Sequence, residues 1–374
     1  MMMRNICQTI VGLCFLLVSL PSGAVETVQE SQHQNSQAQE SQSKGIDVQE
    51  LVFGHINDDY SWHITNINDK PIAIPLPVIV HSSERGWFVF LSSRFHHGHE
   101  AYQGFQISHN EGGNKGKVVE LVNGVELRPL DISISKNVTS LLIGSALILW
   151  IFLSIARRYK KNPLRKPTGL QAILEPLILT LDIDISKACI GKNYARFSPY
   201  ILTAFFFILI NNALGVIPIF PGGANLTGNI TITFVLAFTT FFITNVFGTK
   251  EYWKEVFWPE VPTWLKCPIP LMPLIEIIGL FTKPIALMIR LFANMLSGHI
   301  MALVLIALIF IFSTMSKYVG ASVSVISVAL VVFMTLLEVL VCFIQAYVFA
   351  TLSALFIGLS QVESHHKQLK RVES

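Results

Sequence analysis

Glu276, Lys283 and Arg290 stand seven residues apart, and Asn294 follows Arg290 by one helical turn. On a helix a seven-residue step drifts only about 20°, so these four side chains share one stripe. The stripe runs through an otherwise apolar segment, 273–313, which also carries His299. A packed polar face with snorkelling charges accounts for Glu276 and Lys283 near the segment's end. It does not account for Arg290, which has long apolar stretches on both sides. An arginine at mid-bilayer costs about 2.5–3.5 kcal/mol on insertion scales, and such residues mark ion paths. A second apolar segment, 321–360, places Glu338 and Gln345 seven apart on one face. In an antiparallel hairpin turning near Lys317, Arg290 falls level with Gln345, and His299 with Glu338. A permanent cation beside groups that titrate or hydrogen-bond is the equipment for passing protons, or sodium ions, across a membrane.

The elements that must hold these groups are membrane spans. Of the 374 residues 52% are apolar and only 14% charged, against about a quarter charged in a soluble domain. The net charge of +3 gives no argument for a nucleic-acid partner. No glycine-rich phosphate loop is present, so neither a nucleotide enzyme nor a cofactor is expected. A first span is expected at about 138–157, closed by Arg157, Arg158, Lys160, Lys161, Arg165 and Lys166 on the cytoplasmic side. Segment 169–190, with Glu175, Asp182, Asp184 and Lys187, reads as an interfacial helix. Spans at 197–220 and 229–249 then run outward and back, joined by a loop without Lys or Arg and followed by Lys250, Lys254 and Lys266.

Each of the two last segments would be about 60 Å long as helix, against a hydrocarbon core of about 30 Å. Either each is two short spans or each is one steeply tilted helix. Neither middle offers a polar loop, so tilted helices are expected, with Pro284 as a possible kink. The basic tail 362–374 belongs in the cytoplasm.

Ahead of the spans, Arg4, the apolar run Ile10–Leu20 and the small residues to Ala24 read as a signal peptide, 1–24. The alternative, a first transmembrane helix, is too short. Residues 25–50 are rich in Gln, Ser and Glu and read as a disordered tether. Within 51–137, short β-rich runs (62–67, 72–80, 87–91, 105–108 and 118–121) alternate with turn residues, as in a small periplasmic β domain. His96, His97 and His99 there are either metal ligands or surface histidines, with no second cluster to match them. Cys7 and Cys14 leave with the signal, and Cys189, Cys267 and Cys342 make no disulfide or zinc framework. The expected fold is a mainly α polytopic membrane protein with a tilted hairpin and a small β-rich N-terminal domain.

The run from Arg290 to His299 (RLFANMLSGH), with Gln345 to Phe349 (QAYVF), resembles subunit a of the F-type ATP synthase. Pro218, the 221–229 loop and Lys283-Pro284 extend the likeness over about 170–359. The signal and β domain resemble the longer subunits of Bacteroidetes-type bacteria. The resemblance implies a bacterial inner-membrane stator subunit, partnered by lipid, a rotor ring of small ion-binding subunits and peripheral-stalk subunits. It implies that Arg290 holds a passing rotor carboxylate ionised and keeps two half-channels apart. Glu276, and by position Lys283, would belong to the cytoplasmic half-channel. Asn294, His299, Glu338 and Gln345 would line the periplasmic one. Many bacterial members carry Glu and His where this chain has His299 and Glu338, and Asp where it has Gly215. That leaves His299 and Glu338 as the strong proton carriers on the periplasmic side. Two rivals remain: a secondary transporter holding an anionic substrate on Arg290, and an anchored adhesin or assembly factor. The first lacks the internal repeat such transporters show; the second leaves Arg290 unexplained.

Overall fold

A computed structural model describes residues 58–67, 70–98, 100–108, 114–122, 125–161, 166–217, 223–257, 271–315 and 317–361. The expected signal, tether and C-terminal tail lie outside them, as do His99 and the side chains of His96 and His97.

The N-terminal part is β-rich. Its strands are β1 (Ser61–Ile67), β2 (Lys70–Pro75), β3 (Pro77–Ser82), β4 (Gly86–Leu91), β5 (Phe105–Ile107), β6 (Val118–Val122), β7 (Val125–Leu127) and β8 (Leu130–Asp131). They form three small antiparallel sheets, ordered β1-β2, β4-β3-β8 and β5-β6-β7. The expected single run 72–80 is two strands, parted at Leu76. Prolines on both sides, Pro75 and Pro77, lack the N–H that a continuous ladder needs. Alternate residues of β3 point inward, where Val78 and Val80 pack with Tyr60, Phe95, Phe105 and Val118. Glu120 ties the sheets together, taking 2.6 Å and 2.9 Å hydrogen bonds from Arg85 and one from Ser82. Tyr60 donates to Asp131, and burial, then that carboxylate, pushes its phenol well above the ordinary range.

The remainder is helical: α1 (Lys136–Lys161), α2 (Leu170–Leu179), α3 (Tyr194–Val216), α4 (Ile230–Val246), α5 (Lys250–Phe257), α6 (Leu271–Met315) and α7 (Lys317–Ser360). By length and composition, Lys136–Lys161, Leu170–Val216, Leu274–Ser313 and Ser322–Ser360 are able to cross a membrane, and α4 with α5 makes a fifth candidate bent by 102°. The long segments are one helix each, which removes the two-spans-apiece alternative. At about 1.5 Å per residue each exceeds 60 Å, so neither fits a bilayer upright. Between α2 and α3 a π-helical stretch (Thr180–Lys187) and Ala188–Ile190 lead to Gly191, whose φ of 75° breaks the helix. The chain doubles back there, so that Asp182 meets Ser198.

α3 is the centre of the core, with Ile201, Leu202, Phe205, Phe206, Phe207 and Ile208 fully enclosed. Phe152 of α1 packs edge-on against Phe206 at 4.9 Å. α7 approaches α3 through small residues, Ala346, Ala350, Ser353 and Ala354, all buried. Thr240 of α4 bonds both Tyr200 of α3 (2.6 Å) and Ser353 of α7 (3.2 Å). At one end of the bundle Thr249 N donates to Ser360 O, and the Gln361 amide donates to Phe247 O.

Candidate functional site

The hairpin register follows from three contacts between α6 and α7. A Cβ on Gly320 would stand 2.8 Å from Ser313 Cα, so only glycine lets the helices close beside their turn. Further along, a Cβ on Gly298 would lie 3.3 Å from Glu338 Oε1, and Met295 Sδ lies 4.0 Å from Cys342 Sγ. The Glu338 carboxylate therefore lies across from the residue beside His299. The same register brings Gln345 within about one turn of the level of Arg290.

The two sides of α6 differ. Leu287, Leu291 and Met295, spaced by four, are buried against the bundle. Arg290 is on another face, exposed at the chain's surface, with exposed Ala286, Ala293 and Ser297 above and below it. The chain itself does not enclose the arginine, and among the described residues no hydrogen bond or ion pair holds it. Asn294, one turn on, is half-buried. His299, nine residues from Arg290, falls about 180° around the helix. Gln345 is buried, while His299 and Glu338 are half-buried. The site residues thus form two groups: Arg290 on the open face with half-buried Asn294 one turn on, and half-buried His299 and Glu338 at matching levels of the two helices.

A set of polar residues that sequence reasoning passed over lies on the bundle side. The loop before α4 folds back so that the Asn225 amide donates to Met295 O (3.1 Å), one turn before His299. Thr227 donates to Asn212 Oδ1 of α3 at 2.5 Å, with both residues buried. Among the described residues, Asn212 Nδ2 and the neighbouring Asn211 Oδ1 are buried without a hydrogen-bond partner. The only signal was the pair Asn211-Asn212 in an apolar helix and the Asn- and Thr-containing loop. Gly215 packs on that loop, where a Cβ would stand 3.1 Å from Ala224 O. A side chain at 215 requires the loop to give by a few tenths of an ångström.

Near the start of α6, Lys283 lines a small, open cleft with Thr240, Thr244, Asn245 and Tyr252. The Tyr252 hydroxyl donates to Asn245 Oδ1 at 3.3 Å, and Glu276 lies within electrostatic range of Tyr252. Glu276 and Lys283 therefore belong to one polar end of α6, separated from His299 by Arg290.

The family profile of the ATP synthase A chain matches residues 138–358, which hold every residue of both groups. The chain belongs to that family. Proteins named ATP synthase subunit a are similar to it: that of Pelodictyon phaeoclathratiforme is 44% identical over 245 residues, 64% of this chain and 68% of the relative. That of Chlorobium phaeobacteroides is 43% identical over 242 residues, 63% and 67% of the two chains. That of Myxococcus xanthus is 40% identical over 243 residues, 63% and 76%. Residues 51–132 match a second family, described only as a domain of unknown function. As a member of the A chain family this is a multi-pass subunit of the membrane sector, not catalytic by itself.

Proposed function

We propose that this chain is the proton-translocating stator subunit of a rotary ATP synthase, with two half-channels that meet at Arg290. A proton enters from the side of the 223–229 loop, past Asn225, Thr227 and Asn212, to His299 and Glu338. Gln345 and Asn294 carry the path toward a carboxylate on the rotor ring. Arg290, always protonated, holds that carboxylate ionised as it passes and stops protons leaking straight through. After a turn of the ring the proton leaves toward Glu276 and the Lys283 cleft. Exposed Ala286, Ala293 and Ser297 leave room for a rotor helix to come close to Arg290. Two unpartnered amide atoms in the Asn211–Asn212 pair support a hydrated entry path, since each costs about 1–3 kcal/mol if left dry.

The observation that carries the proposal is the position of Arg290, the cation on an open face of the hairpin with polar groups grouped before and after it. In this reading the β domain and the 223–229 loop face the periplasm. Arg157, Arg158, Lys160 and Lys161 at the far end of α1, with Lys250 and Lys254 of α5, lie on the cytoplasmic side. Family membership leaves the secondary-transporter reading without support. The experiment is ATP synthesis by the reconstituted complex with Arg290→Ala. The proposal expects the variant to assemble and make no ATP; synthesis at the normal rate overturns it. Repeating the unmodified assay with and without sodium identifies the ion.

A further inference from the structure

The sheet β4-β3-β8 has one face on the domain core and one face outward. The outward face holds Trp87, Val89 and Leu91 of β4, 58%, 68% and 51% exposed, and Leu130 and Ile132, 51% and 48% exposed. Strand pairing aligns them across Ile79 and His81: Val89 opposes Ile79, Trp87 and Leu130 both oppose His81, and Ile132 N donates to Ile79 O. Among the described residues, His81 is the one titratable residue of that face. An antiparallel sheet exposed on one side ordinarily carries polar residues there. Five large apolar side chains at this exposure put on the order of 500 Å² of hydrocarbon in solvent, the upper range for a protein surface without a partner.

The sheet is joined to the membrane helix without a linker. Ile134 N still donates to Pro77 O, and α1 begins two residues later. The start of α1 is pinned to the domain as well, because Lys136 N donates to Asp59 O and Asn137 N to Asp58 Oδ1. α1 is about 39 Å long, against a hydrocarbon core of about 30 Å, so its first turn stands at the leaflet surface. The strands from Leu91 to Trp87 span about 13 Å, more than the depth of one headgroup layer, so the whole face meets that layer when the sheet lies along the leaflet from this junction.

From this we infer that the outward face of β4-β3-β8 rests on the lipid headgroups of the leaflet into which α1 enters. The occupant is a lipid surface, chosen because the apolar face is continuous with a membrane span through a rigid junction. β4 is an edge strand with unpaired N–H and C=O groups on one side, which forbids insertion into hydrocarbon but not contact with hydrated headgroups. Trp87, an amphipathic ring stacked edge-on to His81 at 4.7 Å, is the residue type that favours that layer.

The test uses the full chain with its cysteines replaced, reconstituted in phosphatidylcholine nanodiscs with or without a headgroup-nitroxide lipid. A fluorophore is attached at Val89→Cys or Ile132→Cys on the face, or at Lys115→Cys in a turn of another sheet. The inference expects the nitroxide lipid to remove most of the emission at 89 and 132 while sparing 115, and aqueous iodide to do the reverse. Equal iodide quenching at all three positions, with no nitroxide effect, overturns it. Shielding of 89 and 132 that develops only in the assembled synthase, again without nitroxide quenching, also overturns it and assigns the face to a protein partner. Agreement between 89 and 132 guards against a label that perturbs one strand.

Discussion

Within the chain, 72% of the apolar window in Leu170–Val216 is buried, whereas only 12% of that in Leu274–Ser313 and 11% of that in Ser322–Ser360 is. The most enclosed of the three stretches, which breaks at Gly191, is also the least apolar. In lipid, apolar side chains gain little by leaving hydrocarbon for hydrocarbon, so hydrophobicity does not decide which helix is enclosed. Close packing does. α3 is enclosed through Phe205 to Ile208 and the small residues of α7, while the outward hairpin side chains, such as Ile289, Met301, Val325, Leu336 and Phe343, are exposed among the described residues. One region is built to hold shape, and the other is a surface that works against something else.

Arg290→Ala gives the largest effect on this contrast. It is expected to abolish coupled ATP synthesis while leaving membrane insertion and the thermal stability of the chain unchanged, since among the described residues no group holds the arginine. Lys is expected to fail largely as well, because it loses the planar fork and deprotonates more readily away from water. Loss of stability in Arg290→Ala would mean that the hairpin surface is structural after all.

His299 and Glu338 come next. Each is expected to act in one relay, so His299→Ala and Glu338→Gln each slow proton flow on the order of a hundredfold, the lower end for a positioned proton donor. The double variant should be little worse than the poorer single one, because coupled sites are non-additive. The exchange His299→Glu with Glu338→His should keep substantial activity. Effects that multiply in the double variant, measured as proton pumping into vesicles, break the relay and leave the hairpin register standing.

Phe206→Ala tests the other region. Within a membrane the cost is mainly the void, about 2 kcal/mol for a phenyl-sized space of about 100 Å³ at about 24 cal/mol per Å³. Leu336→Ala, 66% exposed on the hairpin, should stay within about 0.5 kcal/mol in the isolated chain. Comparable unfolding temperatures for the two variants would erase the distinction between core and working surface.

Much of this arrangement was legible in the sequence for a physical reason. Length against bilayer thickness requires tilted helices, and an arginine at depth requires a purpose. Matched levels for His299 and Glu338 followed from counting along a hairpin, and contacts from Ser313–Gly320 to Met295–Cys342 agree with that count. Tertiary return of a loop was not legible. Nothing in the spacing of Asn225 and Thr227 says that their loop folds onto α3 and α6, and Thr and Asn in apolar helices ordinarily pack. Nor does alternation in β3 and β4 reveal that both faces are apolar for different reasons.

The smallest expected effect lies where the two regions join. Thr227 donates to Asn212 at 2.5 Å between the loop and α3, and Asn225 of the same loop reaches α6. Interhelical hydrogen bonds in membranes average about 0.6 kcal/mol and reach about 1.7 kcal/mol. Thr227→Val keeps the side-chain shape and removes the hydroxyl, so its structural cost should stay within that range. It also leaves Asn212 Oδ1 bare beside an amide nitrogen that already has no partner, in the segment proposed to pass protons. Proton pumping should therefore fall by more than the loss of thermal stability explains, and Thr227→Ser, which restores the donor, should recover it. A variant with lowered stability and undiminished pumping would place Thr227 and Asn212 in the scaffold with Phe206, and move the entry path to another face of His299.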